Sequence, residues 1–325
     1  MTEAPFEYSG FPGRFATPLF GAAGVLLVGI GGYEHFGGSR FSPALVLVLG
    51  PMLLALAGRW LARDGVLRTP LLRARGTNLV ATRRESTPRV WLCAHLDSKS
   101  QPIPTLVRST ALVVEGIGVV IAAVLAVLAA VGAFTPPILW VFSALVTLMG
   151  ATPVMLSVVT FHSPGALDNA SGVATVVAAA TLLADRNDVG VLLTDAEELG
   201  LAGARAWASS QSPTTVLNCD GVDDAGRVAV MYTGRASRTL LAAIERASQE
   251  CGVSHEAMRM LPGVLTDSVA FADADLASVT FSRGTWRSLA RVHSRRDDLL
   301  HLRGTGIADT AMLMAATVRS LGERN

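Results

Sequence analysis

Val90-Trp91-Leu92-Cys93-Ala94-His95-Leu96-Asp97 is the stretch from which the fold follows. Its apolar run reads as a strand, and a His-x-Asp triplet stands at the carboxyl end, where open α/β sheets bind their ligands. Two further segments repeat the arrangement. Val191-Leu192-Leu193 leads to Glu197-Glu198, and Val216-Leu217-Asn218-Cys219 leads to Asp220. Each motif alone is weak, because a His-x-Asp or a Glu-Glu pair is common by chance. Their arrival at equivalent strand ends is the strong signal.

Working outward, strands are expected at Arg89–Ala94, Val189–Thr194, Thr215–Cys219, Arg227–Tyr232 and Ala277–Phe281. Helices are expected at Ser171–Ala184, Ala202–Ser210, Ala236–Cys251 and Thr305–Leu321. Gly and Pro punctuate the joints, as at Ser163-Pro164-Gly165 and Leu261-Pro262-Gly263. The alternation of the two patterns predicts a three-layer α/β domain with a largely parallel sheet.

The rest of the chain is too apolar for an ordinary soluble protein. Half of its 325 residues are hydrophobic, 16% are charged, and the mean hydropathy is +0.44. Four segments meet the requirement of roughly 20 mostly apolar residues for crossing a bilayer. They are Phe15–Tyr33, Ser42–Leu61, Thr110–Phe134 and Pro137–Thr160. Pro51 predicts a kink rather than a break. The first stretch is preceded by Glu3 and Glu7 in place of a basic leader, so it reads as a retained anchor. Glu115 is the one acidic residue inside a span, expected to snorkel to the interface. The expected organisation is a membrane hairpin over 1–65, the first part of the α/β domain over 66–105, an inserted membrane hairpin over 106–160, and the remainder of the domain over 161–325.

Arg59, Arg63, Arg68, Arg73, Arg75, Lys99 and Arg108 flank the spans on one side, against Arg40 on the other. This bias places the α/β portion and both termini in the cytoplasm, with the plasma membrane as the expected location. Eight residues separate Thr160 from Asp168, which at about 3.3 Å each holds that aspartate within roughly 26 Å of the bilayer surface. A net charge of +1 and the lack of a basic, aromatic-interleaved patch argue against nucleic acid. Cys93, Cys219 and Cys251 are odd in number and widely spaced, and read as free thiols.

Zinc takes imidazole nitrogen and carboxylate oxygen, and catalytic sites keep one position open. A metal pair needs a bridging carboxylate, further ligands on each ion, and an unligated base. His95, Asp168, Glu197, Glu198, Asp220 and His293 are of these types. Asp97 is expected to hydrogen-bond the His95 ring rather than bind metal.

The set Ala94-His95-Leu96-Asp97, Asp168-Asn169-Ala170-Ser171-Gly172, Asp195 to Gly203, Asp220 and His293-Ser294-Arg295-Arg296-Asp297 resembles the two-zinc aminopeptidases, the twenty-eighth metallopeptidase family. That family includes leucyl aminopeptidases and relatives of glutamate carboxypeptidase. The resemblance implies a three-layer αβα, phosphorylase/hydrolase-like zinc peptidase domain with a mostly parallel sheet, here with four transmembrane helices. It implies two Zn2+ ions as cofactors, with Asp168 bridging, His95 and Asp220 completing one ion, and Glu198 and His293 the other. Glu197 would be the general base acting on a metal-bridging water, and Asp97 would orient His95. The implied partners are peptides, cut at their N-terminal residue, and the lipid bilayer. The chain departs from the family in the long apolar insertion between Asp97 and Asp168, and no arginine cluster for a carboxypeptidase-type substrate is evident.

Other readings stay open. The ligand set also suits a single-zinc enzyme of the glutaminyl cyclase kind, and a non-catalytic membrane scaffold could retain the domain for binding. Asp223 and Asp224 compete with Asp220, although only Asp220 directly ends the apolar run. Asp267 falls where the family places a polar loop beside the site, which leaves a catalytic or substrate-contacting role open. His35, His255 and His301 are expected to face solvent, and His162 to sit at the interface. Asp297 and Asp298 read as helix-start or supporting carboxylates.

Overall fold

The computed structural model of the chain describes residues 1–83, 87–234, 237–260 and 264–322. Ala236 and the Leu261-Pro262-Gly263 joint lie outside them. The described residues divide into two compact units. One comprises Met1–Gly10, Val66–Ser100 and Phe161–Asn325, and the other Phe11–Gly65 and Gln101–Thr160.

In chain order the elements are β1 (Thr2–Ser9), α1 (Phe11–Phe36), α2 (Ser42–Trp60), α3 (Val66–Arg68), β2 (Arg73–Ala81), β3 (Val90–His95), α4 (Thr105–Ala130), α5 (Pro137–Met155) and α6 (Ser171–Leu182). They continue with β4 (Val189–Thr194), α7 (Ala202–Ala208), β5 (Thr215–Val222), β6 (Val228–Tyr232), α8 (Arg238–Cys251), β7 (His255–Arg259), α9 (Asp267–Asp273), β8 (Ala277–Arg283), α10 (Trp286–Leu289) and α11 (Thr305–Gly322).

The first unit is built on one eight-stranded sheet of order β1-β2-β4-β3-β5-β8-β6-β7. Its centre, β4-β3-β5-β8, is parallel, whereas β1, β2 and the β6–β8 pairing are antiparallel, so the sheet is mixed. Side chains alternate across the strands. Val90, Leu92 and Ala94 of β3 pack with α6, α8 and α11 through Val176, Ile244 and Met314. Trp91 and Cys93 pack on the opposite face with Trp207 of α7 and Phe271 of α9. This is the three-layer αβα architecture.

Three strands carry no apolar run and so give no sequence signal. β1 belongs to the segment expected to form the first membrane hairpin, yet Thr2–Ser9 pairs along its length with Val80–Arg73. Pro5 is tolerated there because β1 is an edge strand. β7, His-Glu-Ala-Met-Arg, forms the other edge and is mostly solvent-facing. β2 interleaves Arg, Gly, Thr and Asn with its apolar residues.

The second unit consists of α1, α2, α4 and α5, with the turn of helix that follows α2. These helices are long and apolar enough to cross a membrane. Their large apolar side chains, including Leu26, Leu53, Ile117 and Leu145, point outward, an arrangement that suits lipid and not water. Small residues face inward. A Cβ on Gly118 would strike Thr147 of α5, and one on Gly150 would strike the backbone of α4 at Glu115, so glycine permits close helix contact. Pro51 lies within an unbroken α2. Glu115 does not snorkel. α4 begins at Thr105, and Glu115 is buried on the face shared with Ala111, Gly118 and Ala122. His35 is half-buried and stacks on Trp140 at 4.6 Å.

One long-range contact fixes the last helix of the first unit. The Asp224 carboxylate accepts hydrogen bonds from Thr305 Oγ1 at 2.9 Å, Gly306 N at 3.1 Å and the Arg303 backbone N–H, capping the start of α11. Burial opposes its charged form, but these bonds hold the carboxyl at about 2. A carboxyl lowered on folding stabilises above its unfolded pKa and loses that contribution as pH falls through the folded value. Asp224→Ala is therefore expected to cost about 1 kcal/mol at neutral pH. Unfolding of the two proteins followed by circular dichroism checks this, and the difference should shrink as the pH approaches 2.

Candidate metal centre

The ends of β3, β4 and β5, the loop before α6 and the loop after α10 meet at one point. There Asp168 faces two histidines with different oxygens: Oδ1 lies 3.1 Å from His95 Nε2, and Oδ2 lies 3.0 Å from His293 Nε2. His95 Nε2 is also 3.6 Å from Asp220 Oδ1, and His293 Nε2 is 3.3 Å from Glu198 Oε1. His95, Glu197 and Asp220 form one group whose ligand atoms all lie within 4.8 Å of one another, and Asp168, Glu198 and His293 form a second. All six residues that the sequence nominates as ligands or base are thus brought together from positions up to 198 residues apart.

Each is aimed by a local device. At Asp220 the pairing of β5 with β8 shifts register between Cys219 and Val222. Such a bulge bends the strand and re-aims a side chain. Gly221 supplies the positive φ of 68° that it needs. The polar side chains just after Asp168 satisfy the bulge's backbone. Asn169 Oδ1 accepts from Gly221 N at 3.1 Å, Asn169 Nδ2 donates to Cys219 O at 3.0 Å, and Ser171 Oγ accepts from Val222 N at 2.8 Å. Gly172 is required beside them, since a Cβ there would collide with Asn169 and Cys219 O.

Asp97 does more than the sequence reading expects. The His95 Nδ1 atom is 2.9 Å from the backbone carbonyl of Asp97 and 3.6 Å from its carboxylate. The carboxylate instead accepts the backbone N–H groups of Glu197 at 2.9 Å and Glu198 at 3.1 Å. It therefore orients the Glu-Glu pair, while its backbone orients the histidine. Asn78 of β2, absent from the sequence reading, completes this loop. It accepts from Asp195 N at 3.0 Å and donates to Gly203 O at 2.9 Å.

The rival acidic residues are engaged elsewhere. Asp223 is buried and is bound by Ser288 Oγ at 2.6 Å and by Arg291, which tethers the loop carrying His293. Asp224 caps α11. Asp297 accepts from Leu167 N at 2.6 Å and Asp168 N at 3.1 Å, tying that same loop to Asp168. Asp298 caps the turn at Leu300. Asp267 is fully buried beneath the cluster, accepting from Thr194 Oγ1, and burial pushes its carboxyl up to about 7. His301 is exposed, as expected, and so is His162, whereas the His255 side chain is nearly covered and lies 3.7 Å from Glu245. Cys93 and Cys219 are buried free thiols and Cys251 is a half-buried one.

Lys99 is the unexpected member. The sequence reading counts it among the positive charges flanking the spans, yet its ammonium is in contact with Glu198 Oε2 and its backbone N–H lies 3.2 Å from Glu198 Oε1.

The electrostatics are those of a cation site. Burial disfavours the charged form of His95, but Glu197 and the neighbouring carboxylates of Asp168, Asp220 and Asp97 push its imidazole well above the ordinary value. Burial, reinforced by Glu198, Asp220 and Asp267, pushes Glu197 well above the usual carboxylate range, against the pull of His95. Burial also works against Glu198, yet Lys99 and His293 hold it down at about 2. Imidazole nitrogens with carboxylate oxygens, one carboxylate presenting an oxygen to each side, are a donor set that fits zinc.

Residues 151–318, 168 of the 325, match Peptidase family M28, and the chain belongs to that family. The His95–Asp97 motif lies outside the matched stretch, and only the fold returns it to the rest. No curated protein matches the chain. Among solved structures, a zinc aminopeptidase from Bacillus subtilis is similar at TM-score 0.50 and 18% identity, over 79% of this chain and 52% of that one. The LapA aminopeptidase of Legionella pneumophila is similar at TM-score 0.50 and 14% identity, over 77% and 55%. The chain thus has the zinc-aminopeptidase fold and spans about half the length of these aminopeptidases.

Asp297 gives a test of how the site is held. Asp297→Ala leaves two buried N–H groups without their acceptor and is expected to cost about 1–3 kcal/mol in chemical unfolding of the full chain. A change within error would mean that the loops hold Asp168 without it.

Proposed function

We propose that this chain is a membrane-anchored zinc aminopeptidase that removes N-terminal residues from peptides. Two zinc ions would be held by His95, Asp168 and Asp220 on one side and by Asp168, Glu198 and His293 on the other. The observation that carries this reading is Asp168, whose two oxygens face the two histidines separately at 3.1 and 3.0 Å. Zinc bound there would supply Lewis acidity toward a peptide carbonyl and a water acidic enough to attack near neutral pH.

The remaining work falls to side chains. Glu197 groups with His95 and Asp220, and its carboxylate takes the proton of the attacking water and returns it to the leaving amine. Asp97 holds that base in register by accepting its backbone N–H. The four apolar helices support membrane anchoring. The arginines at 59, 63, 68, 73, 75 and 108 favour a cytoplasmic catalytic unit even with Lys99 removed from the count.

Three measurements test the proposal. Purified full-length protein should bind about two zinc ions per chain and hydrolyse aminoacyl chromogenic substrates, with chelation abolishing turnover. Glu197→Gln should lose at least about 10²-fold in turnover while still binding metal; equal rates would refute the assigned base. After alkaline washing the full chain should stay with the membrane pellet, and its release would remove the anchoring part of the reading.

A further inference from the structure

Glu198 is shared between two cations of different kinds. Its Oε1 lies 3.3 Å from His293 Nε2 and so faces the metal cluster, whereas its Oε2 is in contact with the ammonium of Lys99. Lys99 is not a surface side chain that happens to reach inward. It is 16% exposed, and its backbone N–H also bonds Glu198, at 3.2 Å, so backbone and side chain grip the same carboxylate. The opposite half of the centre is built differently, with His95 Nε2 against Asp168 and Asp220 at 3.1 and 3.6 Å.

We infer that Lys99 makes the two metal positions unequal, holding one oxygen of Glu198 so that the position formed by Glu198 and His293 binds zinc more weakly than the one formed by His95 and Asp220. This inference rests on the two-metal reading above and adds an asymmetry to it.

Two physical effects act in the same direction. A carboxylate whose one oxygen accepts from an ammonium is restricted to a single oxygen toward a metal, and its charge is partly neutralised before the metal arrives. The ammonium also stands within a few ångströms of any dication bound at the other oxygen, in a buried setting where such repulsion is weakly screened. Neither effect reaches the far position to the same degree. Groups that hydrogen-bond a ligand set metal affinity on a scale of about 10–100-fold, ordinarily in its favour, whereas an ammonium carries charge of the metal's own sign and acts against it. The consequence is a resident ion beside His95 and Asp220, and an exchangeable one beside His293.

The test is zinc titration of the metal-free, full-length protein in detergent, by competition with a chelator of known affinity, for wild type, Lys99→Met and Lys99→Arg. Wild type is expected to bind in two separated steps, with Glu198→Ala removing the weaker one. Lys99→Met should tighten the weaker step by about tenfold or more and change the tighter step much less. Lys99→Arg, which keeps the charge, should leave both near wild type. If Lys99→Met is poorly folded, Lys99→Gln takes its place. Cobalt substitution followed by visible absorption provides a second readout, since the second equivalent should saturate at lower cobalt in the neutral variant. A weaker step that is unchanged or loosened in Lys99→Met and Lys99→Gln overturns the inference. If wild type takes up one ion, a second ion in Lys99→Met supports it and a single ion overturns it. A wild-type chain that takes up no zinc overturns both the inference and the reading on which it rests. Two zinc ions bound with an unaltered weaker step tell against the asymmetry alone.

Discussion

Asp97, Asp168, Glu197, Glu198 and Asp220 place their carboxylates in one largely buried cluster, with Asp267 beneath it. Like charges removed from water repel strongly, and each must be matched by donors or cations if the fold is to survive. The matching is distributed. Asp97 is satisfied by two backbone N–H groups, Asp168 and Asp220 by imidazole, and Glu198 by His293 and Lys99. Much of the loop structure around the sheet exists to aim these donors.

That requirement also accounts for the polar residues packed beside the ligands. Asn169 and Ser171 close the backbone of the β5 bulge, Asn78 closes the loop of the Glu-Glu pair, and Asp223 and Asp297 secure the loop that delivers His293. A buried polar network of this kind rigidifies only when every member is satisfied. The geometry of the candidate ligands is therefore set by long-range hydrogen bonds more than by the strand ends that bear them.

The long insertion between Asp97 and Asp168 leaves the network intact because the chain departs and returns at one place. Ser100 Oγ accepts from the His162 backbone N–H at 2.8 Å, and Ser98 Oγ donates to Ser163 O at 3.3 Å. A loop closed in this way costs little more when lengthened, since closure entropy grows only slowly with length. The two apolar helices of the insertion then belong to a second unit with its own inward face of small residues. Membership of Peptidase family M28 and the zinc-aminopeptidase fold thus coexist with a chain half made of apolar residues.

The chemical types of the candidate ligands, their order, the parallel strands that bear them and the four apolar helices were legible in the residues alone. Apolar runs, acidic motifs at their ends and hydropathy are local properties, and Val90–His95, Val189–Thr194 and Thr215–Val222 form close to where those signals lie. β1 and β7 were not legible, because edge strands need only half an apolar face, and the burial of Glu115 depends on the close approach of α1 and α5 at Gly24 and Gly150. The partner of Asp97, the aim of Asp220 and the place of Lys99 were decided by tertiary structure. Each depends on a contact between residues distant in sequence: the Glu-Glu loop meeting Asp97, the segment before α6 meeting the β5 bulge, and Glu198 meeting an ammonium that the sequence pattern assigns to the membrane flank. Residue type and periodicity specify which groups can bind a metal. Only the packing of the sheet edge specifies which of their oxygens remain free to do so.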